Sequence, residues 1–149
     1  MITKNKLDKP SGPSGTAAGI FMFFAGLIAA YYSLTGLILV VLGAFIGFSS
    51  TSTFLDTDKR RIKFSNNLFG IIPIGKWIII TPGMSLGLIK SHRGFRTYSR
   101  GNRTMDMHIK DYRIILYGED NKKIMPVQKF DSLDMAQGEL KNLREQLAL

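Results

Sequence analysis

From Pro10 to Leu55 the chain carries no Asp, Glu, Lys, Arg or His, and nearly every position is apolar, small or hydroxylic. A charge at the centre of a bilayer costs about 2.5 to 3.5 kcal/mol on insertion scales, so a stretch of this kind is one that lipid can surround. One helix needs roughly 20 residues to cross about 30 Å of hydrocarbon, and the uncharged run is about twice as long. This predicts a transmembrane helical hairpin over residues 16–55. Its first span would run from Thr16 to Tyr32, its turn over Ser33-Leu34-Thr35-Gly36, and its second span from Leu37 to Phe54. Tyr31 and Tyr32 then fall at an interface, where a ring with a hydroxyl is best accommodated.

Lys4, Lys6 and Lys9 precede the first span, and Lys59, Arg60, Arg61 and Lys63 follow the second, while the turn has no cation. Positive residues stay on the cytoplasmic side, so both termini are expected there. A cleaved signal peptide is the rival reading of the N-terminus, but a second apolar span follows at once. The absence of cysteine removes disulfides and thiolate metal sites and agrees with a reducing compartment. Small residues recur four apart: Gly15 with Gly19, Ala25 with Ala29, Gly26 with Ala30, Gly43 with Gly47. They let helix backbones approach, either the two spans on each other or a further subunit.

Residues 1–15 are polar and broken by Pro10, Gly12, Pro13 and Gly15, the composition of a flexible tail. Residues 56–149 suffice for one compact domain. Runs rich in β-branched and aromatic residues predict strands over 61–65, 77–81, 86–91, 112–117 and 123–127, with turns at Asn66-Asn67, Pro82-Gly83 and Glu119-Asp120-Asn121. Leu133, Ala136, Leu140, Leu143 and Leu147 recur in steps of three and four, which predicts one amphipathic helix, N-capped by Asp131 with Asp134 in its first turn. The fold class expected is α+β: a helical hairpin, a small antiparallel β domain and a closing helix.

Thr53-Phe54-Leu55-Asp56 leading into Arg61-Ile62-Lys63-Phe64, then Gly75-Lys76-Trp77-Ile78, Tyr112-Arg113-Ile114-Ile115-Leu116, and Phe130-Asp131 opening a helix that holds Ala136 follow one plan. Over residues 51–149 this order of strands and terminal helix, behind two membrane helices, resembles bacterial membrane proteins that carry a pleckstrin-homology-like domain. The resemblance implies a non-enzymatic adaptor or scaffold at the cytoplasmic membrane face, of the bacterial inner membrane, that binds anionic lipid or a membrane-protein partner. An accessory or assembly subunit of a larger membrane complex is the alternative. Eukaryotic relatives of the fold often hold phosphoinositides with a basic first hairpin loop; the corresponding loop here, Asp56-Thr57-Asp58-Lys59-Arg60, carries acids as well as bases.

The net charge is +9, and no acid lies between Asp58 and Asp106. Lys59, Arg60, Arg61 and Lys63, next to the second span, suit topology and headgroup contact, at about 1 kcal/mol for each cation near an anionic leaflet. Lys90, Arg93, Arg96, Arg100 and Arg103 lie in a segment that also holds His92, Phe95 and Tyr98. It reads as a solvated loop over anionic headgroups, as a surface for an acidic protein, or as a nucleic-acid patch, the last unsupported by any recognition signature. His92 and His108 fit no metal-ligand spacing, and no phosphate loop, serine elbow or paired carboxylates point to catalysis, cofactor or metal. Trp77 is either an interface anchor or a core residue. The apolar run from Leu68 to Gly75, broken by Pro73, is expected to be a buried strand and turn, its rival being a loop pressed on the bilayer.

Overall fold

A computed structural model of the chain describes residues 1–98 and 104–149. In chain order these form β1 (Ile2–Lys6), α1 (Gly12–Tyr32), α2 (Thr35–Phe48), β2 (Ser50–Asp56), β3 (Arg61–Leu68), β4 (Ile72–Ile74), β5 (Trp77–Ile79), β6 (Ser85–Tyr98), β7 (Thr104–Tyr117), β8 (Lys123–Phe130) and α3 (Leu133–Leu147). The class is α+β with antiparallel sheets, and the chain divides into two compact units. One comprises residues 8–52 and 65–75, the other residues 1–7, 53–64 and 76–149.

The first unit is built on α1 and α2, which fold back on each other. Pro13 stands in the opening turn of α1, where a missing N–H costs nothing, so the helix begins four residues before the expected Thr16. At the turn, the Thr35 N–H donates to Ser33 Oγ at 3.3 Å and the Gly36 N–H to Ser33 O at 3.0 Å. The second helix stops at Phe48, short of the expected Phe54, and Ser50 to Asp56 are strand. The run Ser49-Ser-Thr-Ser-Thr53 accounts for this, because hydroxyl and β-branched side chains disfavour helix. Asn67 holds these hydroxyls in a buried network: its Nδ2 donates to Ser52 Oγ at 2.7 Å and Ser50 Oγ at 3.3 Å, and its Oδ1 accepts from Ser65 Oγ at 3.3 Å.

The second unit packs strands of two sheets under α3. Leu55, Ile62, Ile80, Leu86, Ile114, Leu116, Met125, Val127, Leu143 and Leu147 form its core. The β6–β7 register places Leu86 opposite Leu116 and Leu88 opposite Ile114, so one face of the hairpin supplies four apolar side chains at period two. Burying each such side chain stabilises by about 1.5 to 3 kcal/mol. The last turn of α3 is fixed by Arg144, whose Nη2 donates to Leu86 O at 2.6 Å. Ser132, not Asp131, is the N-cap of α3, and Leu133 at its start is exposed while Ala136, Leu143 and Leu147 are buried.

Three further expectations are corrected. The N-terminal segment is not all tail: Ile2–Lys6 pairs beside β2, and Asn5 Nδ2 donates to Gln128 Oε1 of β8 at 3.2 Å. Main-chain bonding holds it, so its polar side chains gave no sign of a strand. The basic segment is not a loop through Tyr98, because β6 and β7 continue as a paired two-stranded arm beyond the end of β8. The run from Leu68 to Gly75 is not buried: Ile71, Ile72 and Ile74 are exposed, on a hairpin formed by β3 and β4.

Candidate functional site

In the helical unit the usual order of inside and outside is reversed. The buried residues of α1 are Gly12, Thr16, Gly19 and Gly26, and those of α2 are Gly36, Gly43 and Gly47, whereas Phe21, Phe24, Ile28, Ile38, Val41 and Phe45 point outward. A Cβ on Gly19 would lie 2.5 Å from the Gly47 nitrogen, on Gly43 2.4 Å from the Phe23 nitrogen, on Gly26 2.6 Å from the Val40 nitrogen, and on Gly36 2.1 Å from the Ala30 nitrogen. Of the four glycines expected to pack helices, Gly19, Gly43 and Gly47 lie between α1 and α2. Gly15 instead faces Ser11 of its own chain turn. Gly26 and Gly36, which the sequence reading placed in a second small-residue pair and in the turn, complete the seam. Tyr31 and Tyr32 are exposed beside the turn with their rings in edge contact. Of the two helices, α1 is long and apolar enough to cross a membrane, while α2 has 14 residues.

In the β unit the candidate basic residues fall into two groups with different surroundings. Lys59 and Arg60 are exposed in the β2–β3 turn. Arg61 is engaged by the fold: its Nε donates to Asp56 Oδ2 at 2.9 Å, and its guanidinium lies 4.5 Å from the centre of the Trp77 ring. Trp77 is therefore a half-exposed stacking partner for Arg61, opposite Lys63 in the β3–β5 register. Burial would push the Asp56 carboxyl up, but the Arg61 and Lys59 hydrogen bonds and the Arg61 charge together hold it below the usual aspartate range. A depressed carboxyl contributes stability that is complete above its unfolded value and is lost as pH falls through the folded one. Asp56→Asn should flatten the stability profile below about pH 4, read by acid unfolding followed through Trp77 emission; profiles of identical slope would remove this role.

The second group lies on the β6–β7 arm. The register sets His92 opposite Lys110, Gly94 opposite His108 and Arg96 opposite Asp106, so Lys90, His92, Arg96, His108 and Lys110 share one face, and all five are exposed. Arg96 Nε donates to Asp106 Oδ1 at 2.8 Å, and this bond outweighs the opposing effect of burial and, with the Arg96 and His108 charges, keeps the Asp106 carboxyl below its usual range. Arg93 projects from the other face, opposite Ile109. Arg100 and Arg103 lie outside the described residues. The sequence reading missed Lys110 and gave His108 no place on this face. The alternation Asp106, His108, Lys110 with Met105, Met107, Ile109 was the available signal.

At the root of the arm, where β8 pairing ends, Asp111 is fully buried. Its Oδ2 accepts from Arg113 Nε at 2.8 Å and lies 3.7 Å from Lys129 Nζ. A cleft of about 480 Å³ is lined by Thr3, Asn5, Asp58, Gln128, Glu139 and Gln146 among others, and carries no histidine or cysteine. Among the described residues no three His, Cys, Asp or Glu side chains converge on a common point. The described residues present two surfaces, an apolar one on the helices and a cationic one on the arm. Comparison with protein-family models, with curated proteins and with solved structures finds no match to this chain.

Proposed function

We propose that this protein is a non-enzymatic membrane adaptor: α1 and α2 form a bilayer-embedded hairpin, and the β unit is a pleckstrin-homology-like module working at the cytoplasmic membrane face. The observation that carries this reading is the reversed packing of the helices, glycine within and Phe, Ile, Leu and Val without. Water-soluble chains rarely expose apolar patches beyond a few hundred Å², whereas in lipid close backbone contact through small residues is the favoured way to join helices. The cations before α1 and after α2 support a reading with both helix ends on the cytoplasmic side of a bacterial inner membrane and Tyr31 and Tyr32 at the far interface. Two antiparallel sheets followed by one core-forming C-terminal helix support the pleckstrin-homology-like assignment.

The ligand of the module, in this reading, is anionic headgroup phosphate met by Lys90, His92, Arg96, His108 and Lys110. A tethered site needs little intrinsic affinity, because its local ligand concentration is fixed by the anchor. Full-length protein in nanodiscs of phosphatidylcholine, with and without phosphatidylglycerol, tests it by amide deuterium exchange. Exchange over 85–98 and 104–117 should slow when phosphatidylglycerol is present, and the protection should fade with salt. Lys90→Gln/Arg96→Gln/Lys110→Gln should abolish the difference; equal exchange in both lipids would remove the headgroup assignment, and release of the chain by carbonate washing would remove the anchor. A protein partner is the second reading, favoured by the outer edge of β6, which among the described residues pairs as a strand with β7 alone and so offers backbone groups for an added strand.

A further inference from the structure

We infer that the β3–β4 tip, Leu68 to Gly75, is a third membrane-contacting element, inserted into the interfacial layer of the bilayer at the C-terminal end of α2. The inference rests on the embedded-hairpin reading and extends it. At 1.5 Å per residue α1 is about 31 Å long and α2 only about 21 Å, against roughly 30 Å of hydrocarbon. The second helix therefore leaves about 9 Å of apolar depth unfilled at one end. The tip sits at that end: the Phe69 ring lies 5.9 Å from that of Phe45, and a Cβ on Gly70 would stand 2.9 Å from Phe48 O.

The tip is a formed structure and not a slack connection. The Gly70 N–H donates to Asn67 O at 3.3 Å, the Ile71 N–H to Leu68 O at 3.1 Å, and β4 pairs with β3 from Asn66↔Ile74 to Leu68↔Ile72. Phe69 holds φ 53 and Gly70 φ 72, and a bulky residue in the left-handed region is an uncommon conformation that here delivers the Phe69 ring to α2. Ile71, Ile72 and Ile74 are 82%, 52% and 53% exposed, so the tip, like the helices, turns large apolar side chains outward. No charge occurs between Lys63 and Lys76. Among the described residues β4 stands last in its strand order, and hydrocarbon penalises unpaired backbone by several kcal/mol per group, which sets the depth: side chains reach the upper acyl region while the backbone stays among headgroups and water.

Trp77 is the only tryptophan, so a Trp77→Phe background gives a silent chain into which single probes can be placed. Ile71→Trp and, separately, Ile72→Trp replace exposed side chains, and Phe21→Trp on α1 reports on the helices. In vesicles with bromine on the upper acyl carbons, Ile71→Trp and Ile72→Trp should lose most of their emission and emit at shorter wavelength than a water-exposed indole, with weaker quenching by bromine near the chain ends. Unquenched, water-like emission from both tip probes with Phe21→Trp quenched overturns the inference and leaves the hairpin reading standing. Loss of quenching at Phe21→Trp as well would overturn both.

Discussion

Gly43→Leu is expected to force α1 and α2 apart. The Cβ it introduces meets the backbone of Phe23 at 2.4 Å, and backbone, unlike a flexible side chain, cannot turn aside. Overpacking a fitted contact costs about 1 to 3 kcal/mol where neighbours relax, and here the expected loss is at the upper end of that range. In the proposed bilayer setting little would resist the separation, because apolar side chains parted in lipid lose no hydrophobic stabilisation. Ala17→Leu puts the same side chain at an exposed position of α1 and should be silent. With no native cysteine, spin labels on Ala18→Cys and Phe45→Cys report the spacing directly in detergent. A lengthened, broadened distance distribution for Gly43→Leu, with Ala17→Leu matching the parent, is the expected outcome; a parental distribution for Gly43→Leu would mean the glycine seam is not what joins the helices.

That seam was half legible in the sequence. Spacing by four picked out Gly19, Gly43 and Gly47, but it also selected Gly15, and which glycine faces the partner helix depends on where α1 begins and how the helices cross. The core strands were legible because they bury side chains: Ile62, Leu86, Ile114, Leu116 and Val127 all lie in runs read as strand. What stayed hidden is held by main-chain bonds with no apolar signature. Polar β1 is one such case; in the far half of the β6–β7 arm an apolar alternation at Met105, Met107 and Ile109 was present, but the dense charge around it masked it. The end of α2 was misplaced for a different reason. Absence of charge marks a region as compatible with lipid, but it does not distinguish a helix from the hydroxyl-rich strand that follows Ser49. The same ambiguity made the exposed run around Ile71 look like core, since hydrophobicity alone does not say whether its partner is protein or lipid.

Asp111→Ala should be the most damaging polar substitution in the β unit. The Arg113 side chain is 6% exposed, and without the Asp111 carboxylate it loses bonds of 2.8 Å from Nε and 2.5 Å from Nη2 that help offset its removal from water. Breaking a buried pair from one side costs about 3 to 5 kcal/mol, because the surviving charge stays buried. Lys129 is less affected, since its side chain retains contact with solvent. Removing both charges with Asp111→Ala/Arg113→Met should therefore cost less than the two single changes added together, a coupling that denaturant unfolding followed by Trp77 emission measures. The site of the pair makes the consequence functional as well as energetic. Asp111 stands opposite Ser91, the point where three paired strands become two, so the single variant should also speed amide exchange along 91–98 and 104–111. Additive unfolding energies, or an arm whose exchange is unchanged, would show that the buried pair neither stabilises the unit nor fixes the direction in which its cationic face is presented.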